Sequence, residues 1–240
     1  MASSTDTGYA PTSWVFDAEV TRVFEDMIAR SIPDYDGMRR CVFEVGSRFV
    51  RDGGLIVDLG CSRGQSLQMF VDQFGSRTKY VGVDNSSHMV EAARSRFPTL
   101  VANEVMTIFE CDLREDYPAR LADLTLSVLT AQFVPIELRQ QLFRWAYEHT
   151  SKHGAFILVE KVLGSRHETQ QLLVDLYHER KLENGYTIEQ IEAKRLALQG
   201  QLVPVTSAMN ERMLLDAGFG IVEGIWRHLN FAAWVAIRND

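Results

Sequence analysis

A glycine turn that follows a short apolar stretch gives the first chemical signal in this sequence. Residues 55–59 are four apolar residues and Asp58, and residues 60–64 read Gly-Cys-Ser-Arg-Gly. A short apolar run bounded by glycine is typical of a strand that is buried on both faces of a parallel sheet. Glycine lets the backbone turn sharply and approach a ligand, because it has no Cβ. A strand, a glycine turn and a helix start together predict a nucleotide-type site at the carboxyl end of a sheet.

Two further acidic residues follow strand-like stretches at the spacing that such a site needs. The glycine turn alone also fits an ordinary connection between a strand and a helix, and its spacing matches a dinucleotide fingerprint poorly. Residues 79–83 form a second alternating stretch, which ends at Asp84 and Asn85. A ribose-binding carboxylate is expected about 20 residues beyond such a turn, and a carboxylate can accept from both ribose hydroxyls. A third stretch, 105–110, ends near Asp112.

These three stretches resemble the sheet-end motifs of class I S-adenosylmethionine (SAM)-dependent methyltransferases. The resemblance implies that the cofactor is SAM, its carboxylated form or S-adenosylhomocysteine. It also implies that Asp84 and Asn85 contact the ribose, and that Asp112 and Leu113 frame the adenine. The first motif would supply further cofactor contacts, at Asp58, Gly60, Cys61, Ser62 and Gly64.

The order of the predicted elements indicates a doubly wound α/β fold. Strand patterns alternate with helical patterns and end in two adjacent strands, which predicts a mostly parallel seven-stranded sheet with an antiparallel hairpin at one edge. We expect a flexible segment at residues 1–13 and a single SAM-binding domain over residues 14–240. Within that domain, residues 14–50 form two cap helices, and residues 165–210 form a helical lid. The first cap helix is expected over residues 18–31 after Asp17, and the second over about 38–50, because Pro33 and Gly37 break the helix between them. A later helix is expected to end near residues 152–154, before a fifth strand over residues 155–162.

Composition limits the classes of function that fit this chain. It has 240 residues, a hydrophobic fraction of 46% and a formal net charge of −7, which argues against a direct nucleic-acid partner. The three cysteines favour a reduced, cytoplasmic protein over a disulfide framework. The opening residues have neither the basic region nor the apolar core of a secretory signal, and no apolar run is long enough to span a membrane. No His and Cys spacing predicts a metal site.

Residues along most of the chain match the pattern of one family. They are Phe16-Asp17, Val23–Ile28, Arg30–Pro33, Tyr35, Asp58–Ser62, Gly64, Val83–Ser86, Gln132-Phe133, Glu160-Lys161, Asn184–Tyr186, Lys194-Arg195, Ala217–Phe219 and Asn230-Phe231. With these residues the chain resembles the carboxy-S-adenosylmethionine synthase family, and the N-terminal block and the Asn-Gly-Tyr…Lys-Arg block are the specific parts. The resemblance implies that SAM and prephenate are converted to carboxy-SAM, which serves a separate enzyme that modifies the wobble uridine of transfer RNA. It also implies a homodimer.

The family resemblance assigns the two catalytic candidates, Arg195 and Tyr35, and reveals one departure. Arg195 matches the arginine that pairs with the carboxylate of carboxy-SAM, and Tyr35 is expected on a loop from which its hydroxyl can donate to a ligand. Val128 occupies the position of a cofactor-contacting Asn, so an amide has become an apolar side chain. This change puts the contact near the sulfonium in question.

The charge of Arg195 supports the same interpretation on physical grounds. A guanidinium near a sulfonium cation is repelled unless an anion lies beside it, either a carboxymethyl group on sulfur or an acidic co-substrate. The alternative is that Arg195 lies on a helix face and pairs with a surface acid such as Glu192.

Three functions remain open at this point. The first is carboxy-SAM synthesis. The second is ordinary methyl transfer to a small acidic acceptor, which Val128 favours. The third is a non-catalytic protein that binds SAM, against which the intact motifs at Gly60, Asp84 and Asp112 argue.

Overall fold

One mixed sheet organises the protein. The computed structural model describes residues 16–239, so the expected flexible segment 1–13 lies outside the described residues, as do Trp14 and Val15. The strands are β1 (Leu55–Leu59), β2 (Lys79–Asp84), β3 (Met106–Glu110), β4 (Ala122–Val128), β5 (Thr150–Leu163), β6 (Val205–Thr206), β7 (Ile221–His228) and β8 (Phe231–Ile237). The α-helices are α1 (Ala18–Ser31), α2 (Tyr35–Gly46), α3 (Gln65–Phe74), α4 (Ser87–Arg96), α5 (Pro98–Ala102), α6 (Ile136–Glu148), α7 (His167–Glu183), α8 (Ile188–Ala197) and α9 (Ser207–Ala217).

The strand order places a crevice where a nucleoside site is expected. Seven strands run in the order β3-β2-β1-β4-β5-β8-β7, and the two-residue β6 pairs with β5. Strands β1 to β5 pair in parallel, whereas β8 is antiparallel to both β5 and β7. The predicted fold class is therefore confirmed. The sheet order reverses between β1 and β4, and ligands of such sheets bind outside the carboxyl ends of the strands at this point.

Helices cover both faces of the sheet. Successive residues of one strand point to opposite faces, so a run of apolar residues makes both faces apolar. Ile56 of β1 belongs to one apolar core with Leu67 and Phe70 of α3. The next residue, Val57, belongs to a second core that includes Phe143 of α6. Strands that are buried on both faces read as continuous apolar runs, which explains the composition of residues 55–59.

The cap region departs from the sequence prediction at Tyr35. Helix α1 has the predicted bounds, and the Asp17 carboxylate caps it by accepting from two backbone N–H groups. Helix α2, however, begins at Tyr35 rather than near residue 38, so Tyr35 lies on a helix and not on a loop. Asp34 turns the chain in the left-handed region (φ 52°), and its carboxylate occupies the space that a Cβ on Gly37 would fill. Gly37 thus permits this start instead of breaking the helix.

Strand β5 begins earlier than the sequence predicts. Residues 152–154 resemble a helix terminus, but α6 already ends at Glu148 and these residues lie within β5. Thr150 pairs with Ala122 of β4, and Ala155 pairs with Leu124, so β5 bulges between these pairs. His153 takes a positive φ of 62° in that bulge. In the sequence alone, the residues of such a bulge resemble a turn. Among residues 16–239, no helix is both long and apolar enough to cross a membrane.

Helix α2 packs closely against the sheet at Gly46, and this contact is testable. A Cβ at Gly46 would lie 2.9 Å from Leu124 Cδ2 and 3.0 Å from Phe70 Cζ. We expect Gly46→Val to lower the free energy of unfolding by about 1–3 kcal/mol through overpacking. Urea unfolding followed by circular dichroism measures the change. The matched control is Glu44→Val on the exposed face of α2, and equal effects of the two substitutions would contradict the close packing.

Candidate active site

A cavity of about 840 Å³ opens at the carboxyl ends of the central strands. The cap helices α1 and α2 and the helices α7 and α8 contribute to its walls. Its size falls within the range of about 300–1,000 Å³ that is usual for small-molecule sites. Most of the sequence-predicted site residues line it: Tyr35, Gly60, Cys61, Ser62, Asp84, Asn85, Asp112, Leu113, Val128 and Arg195. Their roles in binding stay predictions.

Asp84 joins the glycine turn to the following strand and helix. Its Oδ2 accepts from the backbone N–H of Ser62 at 2.9 Å, and its Oδ1 accepts from that of Ser86 at 3.0 Å. Burial raises the pKa of Asp84, and these backbone hydrogen bonds oppose the shift. Each carboxylate oxygen retains a further lone pair, so Asp84 can accept from two hydroxyls of a ligand. Gly60 (φ 70°) takes a backbone conformation that suits glycine, and together these groups fit the ribose end of SAM.

Asp58 and Gly64 do not line the cavity, and their contact with the cofactor stays a prediction. Asp58 is fully buried, and within residues 16–239 neither of its carboxylate oxygens has a hydrogen-bond partner. Burial and the neighbouring Asp84 raise the pKa of Asp58 well above its usual range. Gly64 (φ 80°) precedes α3, and a Cβ there would lie 2.6 Å from Phe97 Cε2. Both residues support the turn from behind.

Asp112 lines the cavity, but its carboxylate is paired with the neighbouring Arg114. The Arg114 Nε lies 2.8 Å from Asp112 Oδ1, and the Arg114 backbone N–H also donates to that oxygen. This pairing lowers the pKa of Asp112. The charge of Asp112 is therefore already compensated, and the adjacent Leu113, which is buried, supplies an apolar surface to the same part of the cavity.

Arg195 satisfies parts of both sequence interpretations. It lines the cavity, yet it also pairs with Glu192 one turn earlier on α8, with Nη2–Oε1 at 2.7 Å and Nε–Oε2 at 2.8 Å. Both side chains are about half exposed, at 51% and 52%. An exposed ion pair contributes little to stability, so an anion in the cavity can compete with Glu192 for Arg195.

Sequence reasoning missed several cavity residues on β5, α7 and α8. Lys161 carries the clearest clue, because it follows Glu160 at the end of a strand, where the sequence fits a substrate contact and a solvated pair equally well. In the structure, Glu160 is buried behind the cavity, whereas Lys161 lines it. Tyr177 and Lys181 also line the cavity, and no local pattern indicates them. Lys194, which belongs to the Asn-Gly-Tyr…Lys-Arg block, lines it as well.

A buried network fixes the loop between β4 and α6. Arg139 Nε donates to the Val134 carbonyl at 2.9 Å, and its Nη2 donates to the Gln132 carbonyl at 3.0 Å. The Gln132 side-chain oxygen accepts from the backbone N–H of Lys161 at 2.8 Å. Burial raises the pKa of Glu160 to about 8, although the nearby Arg139 charge lowers it. The network thus positions Lys161 and the cavity wall formed by Gln132.

The raised pKa of Glu160 predicts a pH-dependent stability. The folded pKa of about 8 exceeds the ordinary value of 4.5, so the native state binds the extra proton between these values. Stability from this group is full below 4.5 and is lost as pH rises through about 8. The wild-type free energy of unfolding, relative to Glu160→Gln, should fall by about 1.4 kcal/mol per pH unit from about pH 5 to about pH 7. Glu148→Gln is the exposed control, and parallel curves for wild type and Glu160→Gln would contradict the shift.

Solved structures share the fold at low sequence identity. An O-methyltransferase family protein from Burkholderia thailandensis aligns with a TM-score of 0.67 at 16% identity, covering 94% of this chain and 61% of that one. Human N-acetylserotonin methyltransferase, determined in complex with SAM, aligns with a TM-score of 0.62 at 16% identity, covering 93% of this chain and 56% of that one. The chain thus spans little more than half of these two proteins, and the likeness shows the fold alone.

Closer relatives identify the family. A family model described as a methyltransferase domain matches residues 56–154. The carboxy-S-adenosyl-L-methionine synthase of Staphylococcus epidermidis is 32% identical over 96% of this chain and 99% of its own length. That of Methylococcus capsulatus is 35% identical over 93% of both chains. With full-length relatives above 30% identity and the methyltransferase sheet with its glycine turn and Asp84 in place, this chain belongs to the carboxy-S-adenosyl-L-methionine synthase family.

Proposed function

We propose that this protein is a SAM-dependent transferase that makes carboxy-SAM from SAM and an acidic co-substrate, prephenate. The observation that carries the proposal is the charge distribution of the cavity. The nucleoside end presents the carboxylate of Asp84, whereas Lys161, Lys181 and Arg195 bring positive charge to the same cavity. A sulfonium cation alone would be repelled by such a set, so the site suits an anion beside the sulfonium.

The reaction balances without a further reagent. Prephenate yields phenylpyruvate, carbon dioxide and hydroxide; the hydroxide takes one proton from the sulfonium methyl group to give water, and that carbon forms a bond to the carbon dioxide. The protein has then to position the two substrates and to hold the anionic groups. Positioning and preorganised charge are the effects through which enzymes lower such barriers most.

Arg195 and Tyr35 take distinct roles in this proposal. Arg195 pairs with the carboxyl group that is transferred, exchanging Glu192 for the stronger charge-assisted contact inside the cavity. Burial raises the pKa of Tyr35 to about 12. Tyr35 therefore stays a neutral phenol at physiological pH and donates a hydrogen bond to the bound ligand. Neither role requires Tyr35 to act as a base.

A second candidate function is methyl transfer to a small acidic acceptor, and Val128 favours it. Val128 lines the cavity at the end of β4, where the family resemblance implies an Asn. An apolar side chain there can neither donate nor accept a hydrogen bond beside the sulfonium. In this alternative the cations of the cavity hold the acceptor. A non-catalytic SAM-binding protein is a third, weaker candidate.

Several finer features accompany the main proposal. We place the protein in the cytoplasm as a homodimer, with the helices of residues 165–210 acting as a lid over a single SAM-binding domain. Carboxy-SAM would pass to a separate enzyme for transfer RNA modification, so direct nucleic-acid binding is not required. The formal net charge of −7 supports that last point.

Substitution of Arg195 separates the proposal from its alternatives. Arg195→Ala should weaken carboxy-SAM binding at least about 10-fold, the usual size of a lost charge-assisted hydrogen bond. S-adenosylhomocysteine affinity should stay within about twofold, because Asp84 and the Gly60 turn hold the nucleoside. Isothermal calorimetry with both ligands measures the difference. Arg212→Ala, which breaks a similar exposed pair with Asp216 on α9, is the matched control. Equal affinity of wild type and Arg195→Ala for carboxy-SAM would remove Arg195 from the site.

Substitution of Val128 tests the departure from the family. Val128→Asn restores an amide that can hydrogen-bond near the sulfonium, and we expect a higher rate of carboxy-SAM formation from SAM and prephenate, measured by mass spectrometry. Val128→Leu, which stays apolar, is the control for shape. If neither wild type nor Val128→Asn consumes prephenate, methyl transfer becomes the better-supported function.

A further inference from the structure

Two lysines from different elements meet at one aromatic ring inside the cavity. The Nζ of Lys161 on β5 lies 4.6 Å from the ring centroid of Tyr177, and the Nζ of Lys181 on α7 lies 4.8 Å from it. The Tyr177 ring is itself buried and packs edge-on against Phe231 at 5.7 Å. All of these residues line the cavity. Both ammonium groups therefore lie within 4.8 Å of the centroid of one buried ring on the cavity wall.

The surroundings of these lysines are electropositive. Burial, together with the charge of Lys181, lowers the pKa of Lys161. Burial and the charges of Lys181 and Lys161 also lower the pKa of His178, although Asp175 and Glu192 act in the opposite direction. Lys181 is only 7% exposed, so water screens its charge weakly. A carboxylate next to both ammonium groups would form charge-assisted hydrogen bonds and reduce their mutual repulsion.

We propose that Lys161 and Lys181, arranged around Tyr177, form a second anion subsite that holds the carboxylate which the co-substrate retains. This inference rests on the proposed function, in which the co-substrate has two carboxylates and transfers one of them. Arg195 then holds the transferred group, and the lysine pair holds the group that leaves with the co-product. The two subsites together select a dicarboxylate over a monocarboxylate, and they fix which of its two ends faces the sulfonium.

The proposed subsite predicts which ligand each variant binds less tightly. Lys161→Met and Lys181→Met keep an unbranched apolar side chain, one atom shorter than that of lysine, and remove the charge. Each should raise the KM for prephenate at least about 10-fold and weaken phenylpyruvate binding to protein loaded with S-adenosylhomocysteine by a similar factor. Carboxy-SAM affinity should stay within about twofold. Arg195→Ala should show the reverse pattern, losing carboxy-SAM and retaining phenylpyruvate.

Two controls distinguish a binding role from a structural one. Lys152→Met removes an exposed lysine from the same strand and should leave all of these values unchanged. Lys181→Arg retains the charge and should recover most of the phenylpyruvate affinity that Lys181→Met loses. Thermal unfolding of each variant shows that it is folded.

The measurements also separate failure of the subsite from failure of the proposed function. If wild type binds phenylpyruvate and the lysine variants do not, the subsite stands even when no carboxy-SAM is produced, and only the synthase activity is rejected. If the wild-type protein loaded with S-adenosylhomocysteine binds neither prephenate nor phenylpyruvate, the subsite is overturned. Unchanged affinity in both lysine variants, with carboxy-SAM synthesis intact, overturns the subsite alone.

Discussion

The site depends on the hydrogen bonds by which Asp84 holds the glycine turn against its neighbouring strand. One carboxylate oxygen accepts from Ser62 in the turn after β1, and the other accepts from Ser86 before α4. Parallel pairing brings the ends of β1 and β2 to the same edge of the sheet, and the carboxylate converts that proximity into a fixed geometry. A buried charge needs such partners, because desolvation would otherwise favour its neutral form. The same bonds leave the carboxylate oriented toward the cavity.

A second acid, Asp58, lies behind this turn and differs from Asp84 in the shift of its pKa. Asp58 lies below the turn with a strongly raised pKa, whereas Asp84 retains backbone donors that oppose such a rise. Two neighbouring carboxylates in a buried setting do not both ionise readily, since each charge disfavours the other. Burial and the charge of Asp84 both favour the neutral form of Asp58, whereas the backbone donors at Asp84 favour the charged form of that residue.

Much of the fold could be predicted from local pattern because the causes are local. Helix α1 begins after the capping Asp17, as sequence reasoning expects, and the alternating cores at Ile56 and Val57 explain the strand patterns. The predicted start of α2 is wrong because the side chain of Asp34 folds over Gly37. Residue type alone does not reveal this contact. The bulge at His153 depends on the register of β5 with β4. The pairing shifts by three residues between Ala122–Thr150 and Leu124–Ala155, and residue propensities do not specify such a register shift.

The candidate site also contains residues that local sequence patterns predict and residues that tertiary packing brings together. Asp84 and the Gly60 turn belong to motifs with fixed spacing, but the meeting of Lys161 and Lys181 depends on Tyr177 packing against Phe231. The two kinds of cation also differ in exposure: Arg195 is about half exposed and pairs with Glu192, whereas Lys181 is buried. An exposed arginine can exchange partners at little cost, since such pairs contribute little free energy. A buried lysine on a fixed ring loses less conformational freedom when an anion binds. In the proposed reaction, the lysines are therefore suited to orient the arriving co-substrate, and Arg195 to receive the group that is transferred.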